Sequence, residues 1–279
     1  MKIGHFDAIC AMGGNIEEIF ENLLNKISYM NADYANGDEM LYTGRMADED
    51  FSAKISKMLA GYTRKNEAHL LTINTQKVDG FASSQEASNF QDAIALARQI
   101  TNEGKRVLLL ASHRTDDDEI AKYINDGKYS QGVAKPFDID ADGLNLADTA
   151  AIIEFCNDGA YELENFDEKN SEQIEYVHTC ANGIRDEDEK LSEMLAKLFT
   201  QSALIGSPIG VTGQCGDATD ALSLSILCQA IREEILPASS MLEHGFTNTL
   251  NFAYANKMKK LKNMLFVDMA GNYYKVSNN

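Results

Sequence analysis

Apolar positions along the chain recur with two periods, and the switches between them mark out the elements. Lys2 to Ala11 is apolar enough for a buried strand, and Gly13-Gly14 ends it. From Asn15 the period becomes helical. Ile16, Ile19, Phe20, Leu23, Leu24 and Ile27 fall on one face, with Glu17 and Glu18 in the first turn, where the helix dipole favours acids. Residues 31–50 are polar and Gly-containing, a loop with room for a short hairpin. Ala53 to Tyr62 predicts a helix and His69 to Thr75 a strand. Gln91 to Ile100 is strongly helical, Gly104 stops it, and Val107 to Ala111 reads as a strand buried on both faces. Asp117 to Ile124 predicts a short helix, and Thr149 to Phe155 another apolar strand. Residues 158–171 are acidic and read as loop. The second half repeats the style, with a strand at Ile174 to Thr179, a helix at Asp186 to Phe199 and a Gly-rich loop at Gly206 to Gly216. Asp217 to Ile231 is a helix apolar on nearly every side, which requires cover all round. Leu265 to Val267 and Tyr273 to Val276 flank Ala270-Gly271 as a closing hairpin. Strands alternating with helices in two similar halves predict α/β layers, more than three of them.

Composition narrows the class. With 279 residues, 44% hydrophobic, the chain can bury a large core without disulfides or metals. The net charge of -18 argues against nucleic acid and anionic membranes as partners, and against this chain alone gripping an acidic carrier. Lys257, Lys259, Lys260 and Lys262 are the local exception and read as a solvated helix end. No signal segment opens the sequence and no stretch reaches the roughly 18 apolar residues of a membrane span, so a cytoplasmic protein is expected. The five cysteines lie far apart with no CxxC spacing, which fits reduced thiols. No zinc pattern, GxSxG, P-loop or GxGxxG occurs, so neither metal nor cofactor is expected.

One segment is more specific. Pro136-Phe137-Asp138-Ile139-Asp140-Ala141-Asp142-Gly143-Leu144-Asn145-Leu146 has acids at positions 1, 3 and 5 and glycine at 6 of a calcium loop, but Thr149 stands where the bidentate Glu belongs. The other reading is a tight Asp/Gly turn. The segment also resembles the "RPFDxDRDGFVLGEGAG" stretch of the β-ketoacyl synthases, the condensing enzymes of the thiolase fold. Other stretches follow in the same order. Asp7 to Met30 resembles the family's opening strand and helix, and Ser83 to His113 its nucleophile helix and following strand. Gln173 to Asp188 resembles "VEYVNAHGTGTPxxD", Ile205 to Ile231 resembles "SxKxxxGHxxGAAGALEAxxxxLAL", and Leu265 to Val276 the terminal "NSFGFGGTNxxLxL". The resemblance implies a layered αβαβα fold of two related halves, residues 1–172 and 173–279. The N-terminal half is shortened before Ser83.

The chemistry is what the resemblance puts in doubt. A ketosynthase needs a thiolate at a helix N-terminus, two imidazoles and a lysine. The nucleophile position falls on Gln85 or Glu86, neither of which forms a thioester. Gln there resembles chain length factors and decarboxylating ketosynthases, and both residues also suit a helix N-cap. The two histidine positions fall on Cys180 and Gln214, and the lysine on Ile209. His178 stands two residues early; it is either a core histidine or, after a register slip, a neighbour of the site. Cys180 and Cys215 would flank Gln214 if the two loops converge, either as a novel thiol site or as small buried hydrophobes. Asp148 takes the place of the "GEG" acid and can orient strands. The "GFGG" turn survives as Met269-Ala270-Gly271.

The resemblance therefore implies a catalytically inactive, chain-length-factor-like subunit. It would pair with an active ketosynthase, or with itself, through the strand Val107 to Ala111, and meet the acyl carrier protein only indirectly. The alternatives are an enzyme with residual decarboxylase or condensing activity, and a free-standing acyl-binding scaffold.

Overall fold

A computed structural model describes residues 1–75, 78–199 and 202–278. β1 (Lys2–Cys10) leads into α1 (Ile16–Leu24), whose N-cap Asn15 accepts the Glu18 N–H. A hairpin, β2 (Asn31–Asn36) and β3 (Glu39–Thr43), precedes α2 (Asp48–Gly61). Then come β4 (Ala68–Ile73), β5 (Ser83–Glu86), α3 (Phe90–Asn102), β6 (Arg106–His113) and α4 (Asp117–Asn125). They are followed by β7 (Thr149–Cys156), β8 (Tyr161–Asn165), β9 (Tyr176–Thr179) and α5 (Arg185–Leu198). β10 (Leu204–Gly206), the single turn α6 (Ile209–Thr212) and α7 (Thr219–Glu233) come next. Short β11 (Ile235–Leu236), β12 (Asn251–Phe252) and β13 (Lys257–Met258) precede the closing hairpin of β14 (Asn263–Val267) and β15 (Tyr273–Asn278).

One eleven-stranded sheet runs β12-β10-β9-β14-β15-β8-β1-β7-β6-β4-β5. The same unit occurs at both ends of it. β10, β9 and β14 are parallel and β15 returns antiparallel. β5, β4 and β6 are likewise parallel and β7 antiparallel. α3 follows β5 as α7 follows β10. The C-terminal unit also has β12 at its edge and α5 between β9 and β10. The N-terminal unit has no counterpart of either among the described residues, which is where the chain is shortened.

Alternation along the strands sorts side chains into layers. Leu71, Leu109 and Ile153 point inward, together with Met264, Phe266 and Val276 of the other half, onto Phe90 of α3 and the length of α7. Leu70, Leu108 and Ile152 point the other way, under Phe51 and Met58 of α2. Val177, Ile205 and Leu265 point outward under Leu195 of α5. The sheet thus curls around α3 and α7, with α2 and α5 outside, and the order is α, β, α, β, α. Thirteen residues of α7, Thr219 to Ile231, are buried, as its apolar circumference requires.

Several expectations are corrected. Ile27 is 42% exposed, because α1 stops at Leu24 and Lys26 turns the chain in a left-handed conformation. The acidic stretch 158–171 contains β8, which pairs with β15 and β1. The lysine run is no helix: Lys257 lies in β13, and Lys259 and Lys260 face Glu175 and Glu234. Val107 to Ala111 cannot dock a partner strand, since β6 is bonded on one side to β4 and on the other to β7. Among the described residues the free edge at that end of the sheet is β5.

Phe90 ties the two halves together, meeting Phe266 and Tyr274 edge-on at centroid distances of 6.0 and 6.4 Å. Phe90→Ala is expected to cost about 3–5 kcal/mol in urea denaturation. A loss of less than about 1 kcal/mol would mean that the middle layer refills the space.

Candidate functional site

Two turns meet at the C-terminal ends of β9 and β14, the end of parallel strands where α/β folds place ligands. From β9 the chain runs through Cys180, Ala181, Asn182 and Gly183 into α5. The Ser207 hydroxyl holds this turn through the Ala181 carbonyl at 2.6 Å. Gly183 has φ +92°, and a Cβ there would lie 2.5 Å from the Gly143 carbonyl oxygen. Only glycine lets the turn approach the Asp138–Gly143 segment so closely. From β14 comes the turn Asp268 to Gly271, held by the Asp268 carboxylate through the N–H groups of Ala270 and Asn272. Between the turns is a cavity of about 370 Å³, whose lining includes Cys180, Asn182 and Asp268 as well as Leu191, Met194 and Met269.

Its electrostatics are dominated by burial. Asp220, in the first turn of α7, accepts the Met269 N–H at 2.8 Å and the Cys180 thiol at 3.4 Å. Desolvation pushes its pKa up to about 7, the Met269 N–H opposes this, and Asp268 adds to it. Desolvation, with Asp220 adding, raises the Cys180 thiol well above its ordinary value. Asp188 accepts N–H bonds from Phe137, Asn182 and Gly183, yet burial still raises it to about 6. Asn182 donates to Gln214 Oε1 at 3.3 Å, so the loop after α6 reaches the same wall.

This architecture is found in solved structures. A ketosynthase from module 6 of the bacillaene synthase of Bacillus subtilis 168 superposes with a TM-score of 0.77 at 13% identity, over 99% of this chain and 71% of that one. A ketosynthase in complex with its chain length factor from Xenorhabdus doucetiae gives 0.70 at 12%, over 100% and 98%. A type II PKS acyl-carrier protein in complex with its ketosynthase gives 0.74 at 12%, over 99% and 98%. The chain has the ketosynthase fold. No protein-family model and no curated protein matches it.

Within the ketosynthase fold the singled-out residues lie as follows. Cys180 and Gly271 line the cavity, and Gln214 joins its wall through Asn182. Gln85 and Glu86 do not cap α3; they are exposed on the edge strand β5, and Asn89 is the cap, accepting the Asp92 N–H. His178 is fully buried on β9 between Tyr176 and Phe266, and desolvation pushes its pKa down to about 3, so it is neutral. Cys215 is not paired with Cys180. Its Sγ faces the Gly213 carbonyl, and its titratable neighbours are Cys10, Asp148 and Glu119. Ile209 is buried at the start of α6. Asp148 is fully buried and accepts the N–H groups of Met46 and Thr115 at 2.7 and 2.8 Å, with Arg114 at 3.3 Å; it fastens β7 to its neighbours. Asp138 accepts the N–H groups of Asp140, Glu243 and His244, and Asp142 accepts the Ser130 hydroxyl and the Gln131 N–H, which makes the segment a bonded turn.

Sequence reasoning missed Asp220, Asp268 and Asn182. For Asp220 a signal existed: a carboxylate inside a helix that is otherwise apolar on nearly every side.

Two outcomes follow. Asp148→Ala leaves the buried N–H groups of Met46 and Thr115 without their acceptor, while Arg114 keeps Asp48 and the Met46 carbonyl, and is expected to destabilise the chain by about 2–4 kcal/mol. For Asp220, the folded-state pKa of about 7 stands above the ordinary 3.8. The folded state therefore holds the proton longer, and this contribution to stability is lost as pH rises across that window. Asn carries no charge at any pH. Urea denaturation is expected to show Asp220→Asn gaining on the parent as pH rises from about 4 to about 7; parallel profiles would mean that Asp220 titrates normally.

Proposed function

We propose that this chain, read as a shortened N-terminal half (1–172) and a fuller C-terminal half (173–279), is a non-condensing ketosynthase-like subunit. It pairs with an active ketosynthase and completes its acyl site, in the manner of a chain length factor.

The observation that carries the reading is the lack of a usable nucleophile and base. All five thiols are buried, and burial raises the pKa of each, Cys10 to about 11. A thiol held above neutral pH supplies little thiolate. The imidazole closest in sequence to the cavity, His178, is sealed in the core and kept neutral. Partner pairing is supported by the free edge of β5, whose four residues are exposed while one side bonds to β4. An unpaired edge offers a row of backbone donors and acceptors to another strand. Among the structural neighbours is a ketosynthase in complex with its chain length factor.

The alternative of malonyl decarboxylation assisted by Gln85 is weakened by the exposure of that side chain on β5. An acyl-binding scaffold remains compatible with the cavity beside Cys180.

Co-expression with a full-length ketosynthase from the same gene neighbourhood is expected to give a stable one-to-one pair on size exclusion. No acyl-enzyme should form on this chain with acetyl- or malonyl-carrier protein. A chain that ignores every such partner, or that releases CO₂ from malonyl-carrier protein more slowly after Gln85→Ala, would overturn the reading.

A further inference from the structure

Far from that cavity, β7 carries a charge into the sheet. Glu154 follows Ile152 on the outer face of the N-terminal unit and is 2% exposed. A buried carboxylate costs several kcal/mol unless it is paired. Glu154 is paired on one oxygen. Tyr62 donates to Oε1 at 2.8 Å and Arg106 at 3.2 Å, and the Arg64 guanidinium stands 3.7 Å from the same atom. Its second oxygen, Oε2, has no hydrogen-bond or ion-pair partner among the described residues.

That free oxygen faces an opening. On the neighbouring β1 the pairing with β7 slips between Ile3 and Phe6, a bulge of the kind that re-aims side chains near sites. The bulge contains Gly4, which is exposed, and a Cβ there would lie 2.3 Å from Glu154 Oε2. The missing side chain connects a buried carboxylate to solvent. Above it is a cavity of about 250 Å³ walled by His5, Gly61, Tyr62, Thr63 and Arg64. It lies past the C-terminus of α2, whose partial negative charge favours a cationic group. This cavity shares no lining residue with the one beside Cys180, so the two sites are distinct.

The wall chemistry defines the ligand. Arg106 is already held between Glu154 and Asp158. Arg64 is half-exposed and beyond hydrogen-bond distance of Glu154, so its planar fork is available to an anion. The wall itself carries one carboxylate, Glu154, and one guanidinium, Arg64, which favours a ligand of zero net charge with a donor at one end and an acceptor at the other. The volume is below the roughly 300–1,000 Å³ of typical cofactor and drug sites. We propose that this cavity binds a small zwitterion of the α-amino-acid class. Its ammonium donates to Glu154 Oε2 and its carboxylate pairs with Arg64.

Isothermal titration of the full chain with each natural L-amino acid tests this, with methylammonium and acetate as the two half-ligands. One amino acid, or a small related group, is expected to saturate the site, and the half-ligands are expected to bind at least about tenfold more weakly, roughly 1.4 kcal/mol. Arg64→Ala, on a half-exposed side chain, and Glu154→Gln are each expected to weaken binding by at least about tenfold. Gly4→Ala, which closes the opening, is expected to abolish it. Should Glu154→Gln not fold, Arg64→Ala decides. No saturable binding up to about 10 mM of any amino acid, binding untouched by Arg64→Ala, or methylammonium binding as tightly as the zwitterion would each overturn the proposal.

Discussion

The structure depends on enclosing α7. A helix apolar around its whole circumference loses stability wherever water reaches it. No single sheet face can cover it, so the sheet must curl and meet it from both sides. α7 touches β7 and β1 of one half and β9 of the other, and Phe90 brings α3 against β14 and β15. The αβαβα order follows from that one requirement. α2 and α5 then cover the outer faces that alternation leaves apolar.

The same enclosure governs the candidate site. Cys180, Asp220, Asp188 and His178 sit where the middle layer meets the strand ends, and desolvation is the largest cause of each shift. Burial favours the neutral form of every one of them. A reactive thiol needs the opposite, a cationic neighbour or a helix N-terminus that stabilises the thiolate. Cys180 instead faces the Asp220 carboxylate. The packing that makes the fold stable thus also sets the protonation of these groups.

Glu154 is the counter-case, a charge kept on a central strand by a tyrosine and two arginines. Its position is tolerated because β1 leaves out a side chain at Gly4. The opening and the charge are two halves of one local arrangement, beside the N-terminal end of β6 and away from the C-terminal ends of the parallel strands.

Much was legible in the sequence. The periods of Ile16 to Leu23, Gln91 to Ile100 and Thr149 to Phe155 determined elements, because each element buries a face and the face dictates the period. The circumference of α7 dictated enclosure, and the ordered motifs pointed to the fold class. β8 was lost because Glu162 and Glu164 alternate with buried Tyr161 and Leu163, and the acids masked a period of two. Similarity placed Gln85 and Glu86 at the nucleophile position, and their polarity suited a helix cap; their exposure follows from the absence, among the described residues, of an edge strand and helix beside β5, which no local pattern records. Only the tertiary structure decided that Cys180 meets Asp220, forty residues on, that Cys215 turns away from it, and that Glu154 keeps a free oxygen. Those facts rest on contacts between distant segments and on the exclusion of water. A sequence specifies which groups must be buried, but the neighbours that set their charge exist only after folding.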